Sequence, residues 1–154
     1  LPKLRGSSRK PIDQADIWSP RDLVEMDAVV AACALVAHAD GWVTPEERDR
    51  TVQRMSRTQA IAPFGSHEVI AAFEALVVRF EHAPAQGRAI AEAAVRGVRS
   101  DRRSARWLVD TACAVAMADG GFDAEERDAI LRLCHLLDFD PADFALVPAQ
   151  ETRR

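Results

Sequence analysis

Apolar residues recur along this chain at three- and four-residue spacing, the signature of amphipathic helices. The first such run starts at Ser19-Pro20 and reaches about Ala39, with Leu23, Met26, Val30, Cys33 and Ala37 on one face. From Ala28 to Ala39 it carries no Asp, Glu, Lys or Arg. A helix apolar nearly all round belongs at the centre of a bundle. A second helix from Pro45 to about Gln59 buries Val52 and Met55, and a third follows the break at Pro63–Ser66 with Val69, Ile70, Phe73, Leu76, Val77 and Phe80. Pro84 opens a fourth, whose Gly87 and Gly97 blur its ends. The fifth, opened by Ser100-Asp101, carries Leu108, Val109, Ala112, Val115 and Ala116; the sixth buries Ile130, Leu133, Cys134 and Leu137. Asp140-Pro141 caps a short seventh helix ending near Val147. No segment alternates as a strand does, so the predicted class is all-α: a single-domain bundle of about seven helices.

The polar residues between these runs are helix stops and starts, and one set occurs twice. Val36-Ala37-His38-Ala39-Asp40-Gly41-Trp42-Val43-Thr44-Pro45-Glu46-Glu47-Arg48-Asp49 returns 79 residues later as Val115-Ala116-Met117-Ala118-Asp119-Gly120-Gly121-Phe122-Asp123-Ala124-Glu125-Glu126-Arg127-Asp128, with nine of fourteen positions identical. Such an ungapped match marks one supersecondary unit used twice, here two pseudo-repeated helix-turn-helix hairpins. In each copy Asp-Gly ends one helix. Thr44 with Glu47, and Asp123 with Glu126, are then spaced as capping boxes that start the next.

The predicted organisation is a basic N-terminal tail over residues 1–18 (Lys3, Arg5, Arg9, Lys10), a helical domain over 19–148 and a short tail over 149–154, with Trp18 a single anchor onto the domain. The 154 residues suffice for one real core. A composition of 48% hydrophobic and 29% charged residues is that of a soluble globular protein. Eighteen Arg against two Lys, within a net charge of -4, reads as a compositional bias and gives no pull toward nucleic acid. Cys33, Cys113 and Cys134 lack CxxC spacing and sit in apolar helical stretches, as small buried hydrophobes do. No run approaches the length of a transmembrane helix and no signal-peptide core is present, so the expected location is the cytoplasm.

Asp-Gly-x-Val-x-x-Glu-Glu matches the back half of a calcium loop, but the first and third ligand positions would be Val36 and His38, or Val115 and Met117. Those residues lie on a helix and three of them cannot ligate calcium, which rejects an EF-hand. Capping accounts for every acid in the motif. The sharper expectation is that the two hairpins pack side by side and gather their acidic turns, giving a weak site for a hard divalent cation. No His has a Glu three residues before it, which removes a di-iron carboxylate bundle. Cys134 and His135 point apart on a helix, and His38 is expected to pack between helices, its repeat partner being Met117. No phosphate loop, dinucleotide fingerprint or nucleophile elbow occurs. Arg96, Arg99, Arg102, Arg103 and Arg106 form the one basic concentration, either a solvated connector or a docking surface for acidic partners or headgroups.

The doubled Ala-Asp-Gly-x-[Val/Phe]-x-x-Glu-Glu-Arg motif, with the ending Leu136-Leu137-Asp138-Phe139-Asp140-Pro141-Ala142-Asp143-Phe144, resembles the TerB-like tellurite-resistance family over roughly residues 20–147. The resemblance implies an all-helical bacterial domain connected with tellurite and other stress resistance. It also implies metal binding by its acids, which carry over to Asp40, Glu47, Asp119 and Glu126. Related domains occur attached to co-chaperone modules, but the J-domain His-Pro-Asp signature is absent here. Asp138 replaces the glycine common at the final turn. The resulting expectation is a non-enzymatic stress-response module that binds a protein partner, with a weakly held calcium, magnesium or zinc ion and no organic cofactor. The alternatives are a metal-dependent enzyme using the same carboxylates, which the scarcity of histidine opposes, and a membrane-peripheral adaptor acting through the arginine cluster.

Overall fold

The computed structural model describes residues 20–39, 43–57, 65–117 and 123–144. They form six α-helices: α1 (Pro20–Ala37), α2 (Pro45–Arg57), α3 (Ser66–His82), α4 (Pro84–Arg96), α5 (Arg102–Ala116) and α6 (Ala124–Leu136). No strand occurs among the described residues. The described part of the expected seventh helix is a 3-10 turn, Pro141–Phe144, closed by the Asp143 amide on the Asp140 carbonyl at 2.9 Å; its expected end near Val147 lies outside the described residues. Ser19, Trp18, the two tails, Asp40, Gly41 and Asp119 lie outside the described residues.

The charge-free stretch of α1 dictates the architecture. Every residue from Ala28 to Val36 is buried, and α1 touches each of the other five α-helices. Ala28, Ala31, Ala32 and Ala34 let those neighbours approach closely, and the gaps between them are filled by Phe73, Leu108, Ile130, Leu133 and Leu137, all fully buried. Close approach recurs where α3 turns into α4: a Cβ on Gly87 would lie 3.0 Å from the Cα and N of Phe80. One part of the expected α1 stripe differs. Leu23 is 46% exposed and Val24 42% exposed, so the buried stripe begins at Met26.

The C-terminal end of α6 is a Schellman motif. The Phe139 amide donates to the Cys134 carbonyl at 2.8 Å and the Asp138 amide to the His135 carbonyl at 3.2 Å. This geometry puts Asp138 at φ 61°, where a β-carbon crowds the backbone and glycine sits without strain. Asp138→Gly is therefore expected to stabilise the fold by about 0.5 kcal/mol, the relief of the left-handed backbone exceeding glycine's entropic cost. A rise in the urea midpoint at unchanged slope checks it, and a fall would show that the aspartate side chain contributes more than its backbone costs.

Candidate functional site

Both capping boxes form as the repeat predicts. At the start of α2 the Thr44 amide donates to Glu47 Oε2 and the Glu47 amide to Thr44 Oγ1, each at 3.1 Å. At the start of α6 the Asp123 amide donates to Glu126 Oε1 at 3.0 Å and the Glu126 amide to Asp123 Oδ1 at 2.7 Å. The hydroxyl of Thr44 first, then its amide, holds the Glu47 carboxyl below the usual carboxylate range. A depressed folded-state value stabilises the fold at neutral pH, and that contribution is lost as pH falls through it.

The two boxes face one space. Glu47, Asp123 and Glu126 line a cavity of about 290 Å³ together with Ala37, Arg50, Thr51 and Arg54. Two of the four sequence-predicted metal ligands, Glu47 and Glu126, are thus brought together; the other two, Asp40 and Asp119, lie outside the described residues. The cavity holds a guanidinium as well: Arg54 Nη1 stands 3.6 Å from Glu126 Oε2, with side chains 13% and 21% exposed. Sequence reasoning passed over Arg50, Thr51 and Arg54, yet with Glu47 they occupy the i, i+3, i+4, i+7 spacing of a core-facing stripe. Polar residues sharing one helix face ordinarily form its solvated side, and only the packing encloses this one, with Thr51 buried and Arg54 half-buried.

A hard divalent cation needs several oxygens free to converge on it. Here Glu47 Oε2 and Glu126 Oε1 each accept a capping amide, and Glu126 Oε2 faces Arg54. Among the described residues no group of three or more His, Cys, Asp or Glu side chains is placed to hold a metal ion. The described residues by themselves do not fit a tightly held ion. His38 packs as expected: it is buried, its Nδ1 lies 2.8 Å from the Ala34 carbonyl, and its ring stacks on Phe80 at 4.2 Å.

The arginine concentration is largely turned onto the protein itself. Arg102 donates to the carbonyls of Arg99, Leu137 and Asp138 at 2.9, 2.7 and 3.1 Å, and its guanidinium lies 4.2 Å from the centre of the Phe139 ring. Arg106 donates to the Asp143 carbonyl at 3.2 Å and covers the Phe144 ring at 4.7 Å. Arg96 pairs with the buried Glu92 at 3.6 Å. Arg102 and Arg106 thus strap the final turn to α5. Spacing could not reveal this, since the partners are some 35 residues away in sequence.

A family model for tellurite resistance protein TerB matches residues 26–149. The chain belongs to the TerB family. The match spans both hairpins and the strapped ending, in agreement with the resemblance carried by the doubled motif. No curated protein and no solved structure matches the chain. In this TerB chain the thiols are shielded: burial pushes Cys33 up to about 12, and burial first pushes Cys113, with Asp110 beside it, and Cys134, with Cys113 and then Asp140 and Asp143 beside it, up to about 11. At neutral pH they are protonated and poor nucleophiles. No described helix is long and apolar enough to cross a membrane.

A second concave surface, which periodicity alone did not single out, runs between α1, α3 and α4. It encloses about 350 Å³ over a floor of Ala31, Ala72, Ala91 and Ala94, with Leu76 and Ile90 as its larger apolar walls. Ile90 is 39% exposed. Asp27 on α1 and Arg79 on α3 give its walls opposite charges, and partial burial raises the Asp27 carboxyl above its ordinary range.

Proposed function

We propose that this TerB-family chain is a non-enzymatic binding module acting in the cytoplasm in resistance to tellurite and related stress, and that its partner is a protein helix docking in the groove between α1, α3 and α4. The groove carries this reading. Its alanine floor leaves room for large apolar side chains, the usual anchors of a helix laid in a groove. Its charged walls define the occupant further: an amphipathic helix with a cationic side chain toward Asp27 and an anionic one toward Arg79. The enzyme alternative finds little support in the capping-box cavity, whose carboxylates are engaged by backbone amides and by Arg54.

The test fills the groove from a position that the core does not use. Ala75→Trp, at an exposed groove residue, and Ile90→Glu are expected to leave helicity and the thermal midpoint nearly unchanged. In a strain lacking the native gene, both are expected to drop tellurite tolerance to that of the empty vector. Full tolerance from both folded variants would remove the groove from the function.

A second reading is a weakly bound divalent cation on the carboxylates Asp40, Glu47, Asp119 and Glu126. One observation favours it: Glu47 and Glu126, equivalent in the two repeats, line the same cavity. Affinity in the millimolar range is expected, as for sites with few preorganised ligands.

A further inference from the structure

We infer that Arg54 is the resident counter-ion of the capping-box cavity: a tethered guanidinium that joins the first repeat to the second and holds the cavity against divalent cations. This goes beyond the groove reading and stands independently of it. Among the described residues the cavity wall carries three carboxylates, Glu47, Asp123 and Glu126, against two guanidiniums, Arg50 and Arg54. Two of these three negative charges are matched by a cation on the same wall. Of the two cations, Arg54 lies 3.6 Å from Glu126 Oε2, across the boundary between α2 and α6. The pair is only 13% and 21% exposed, whereas Arg106–Asp110 on the surface is 50% and 60% exposed. Screening by water and salt is correspondingly weaker at the cavity. Both oxygens of Glu126 already have a partner, since Oε1 accepts the Asp123 amide while Oε2 faces Arg54. A cation approaching Oε2 meets the positive charge of the guanidinium at close range.

The repeat shows that this face is not dictated by the hairpin. Shifted by 79 residues, Arg50, Thr51 and Arg54 of α2 correspond to Ala129, Ile130 and Leu133 of α6. Ile130 and Leu133 are fully buried in the core. The same helical face is thus apolar in one copy and cationic in the other. The cationic copy is the one aimed at the partner repeat's capping glutamate.

The experiment combines a double-mutant cycle with metal titration. Wild type, Arg54→Met, Glu126→Gln and the double variant are unfolded with urea in the presence of a chelator. Each single change is expected to lower the folding constant, and the double to lose less than their product by at least about threefold, the coupling of a partly buried pair. After removal of the chelator, calcium, magnesium, manganese and zinc are titrated by calorimetry. Arg54→Met is expected to bind at least one of these ions about tenfold more tightly than wild type, while Arg54→Lys, which keeps the charge, shows no such gain. Adding Glu126→Gln to Arg54→Met should abolish that gain. An additive cycle, micromolar binding by wild type, or no gain in affinity on removing Arg54 would each overturn the inference.

Discussion

Ala32→Asp is expected to abolish cooperative folding. Ala32 is fully buried in α1, the helix that touches all five others, and it lies in a stretch that supplies no cation to pair with a new carboxylate. An unpaired buried carboxylate costs several kcal/mol, against a total stability of roughly 5–15 kcal/mol for a domain of ordinary size. The variant should show no sigmoidal urea transition and should bind a hydrophobic dye. Ala71→Asp is the control, since Ala71 is exposed on α3 and the same chemistry should there move stability by no more than about 0.5 kcal/mol. A folded Ala32→Asp with a midpoint near wild type would show that α1 is not the central helix.

The second large effect concerns Phe73, the largest of the fully buried side chains among the described residues. It projects from α3 into the cluster containing Val29, Val77 and Leu108. Truncation to alanine removes its apolar contacts and leaves a cavity that the surrounding helices fill only in part, so a loss of about 3–5 kcal/mol is expected. Urea unfolding read by far-ultraviolet dichroism measures it. A loss below about 1 kcal/mol would mean that the small residues of α1 collapse into the vacated space. Phe73→Leu, which keeps most of the volume, should cost clearly less.

Helices and their boundaries were legible because their causes are local. An N-cap hydroxyl or carboxylate with a glutamate three residues on satisfies the first amides of a helix whatever surrounds it. Both boxes therefore appear where the motif put them. The central place of α1 was legible for a related reason: twelve residues without Asp, Glu, Lys or Arg leave no polar face to turn toward solvent. The family likeness rested on the same short signals, doubled and in order, and the TerB match covers both copies.

Other assignments were beyond one-dimensional reasoning. Leu23 satisfies the spacing of the α1 stripe yet is 46% exposed, because spacing says which side of a helix a residue is on and not whether another helix reaches that far. Arg102 and Arg106 read as surface charge until the return of the chain places Phe139 and Phe144 beneath them. The alanine-floored groove belongs to three helices at once, so no single periodicity contains it.

The doubled motif holds both kinds of information. Its order of residues, acting through backbone hydrogen bonds a few positions apart, was enough to specify where α2 and α6 start and the capping role of Glu47 and Glu126. That these two glutamates share one cavity, and that Arg54 stands there against Glu126, followed from the tertiary packing that brings α2 and the start of α6 to one space. Charges distant along the chain acquire their interaction from through-space distance and local dielectric, and both quantities come into being when the helices pack.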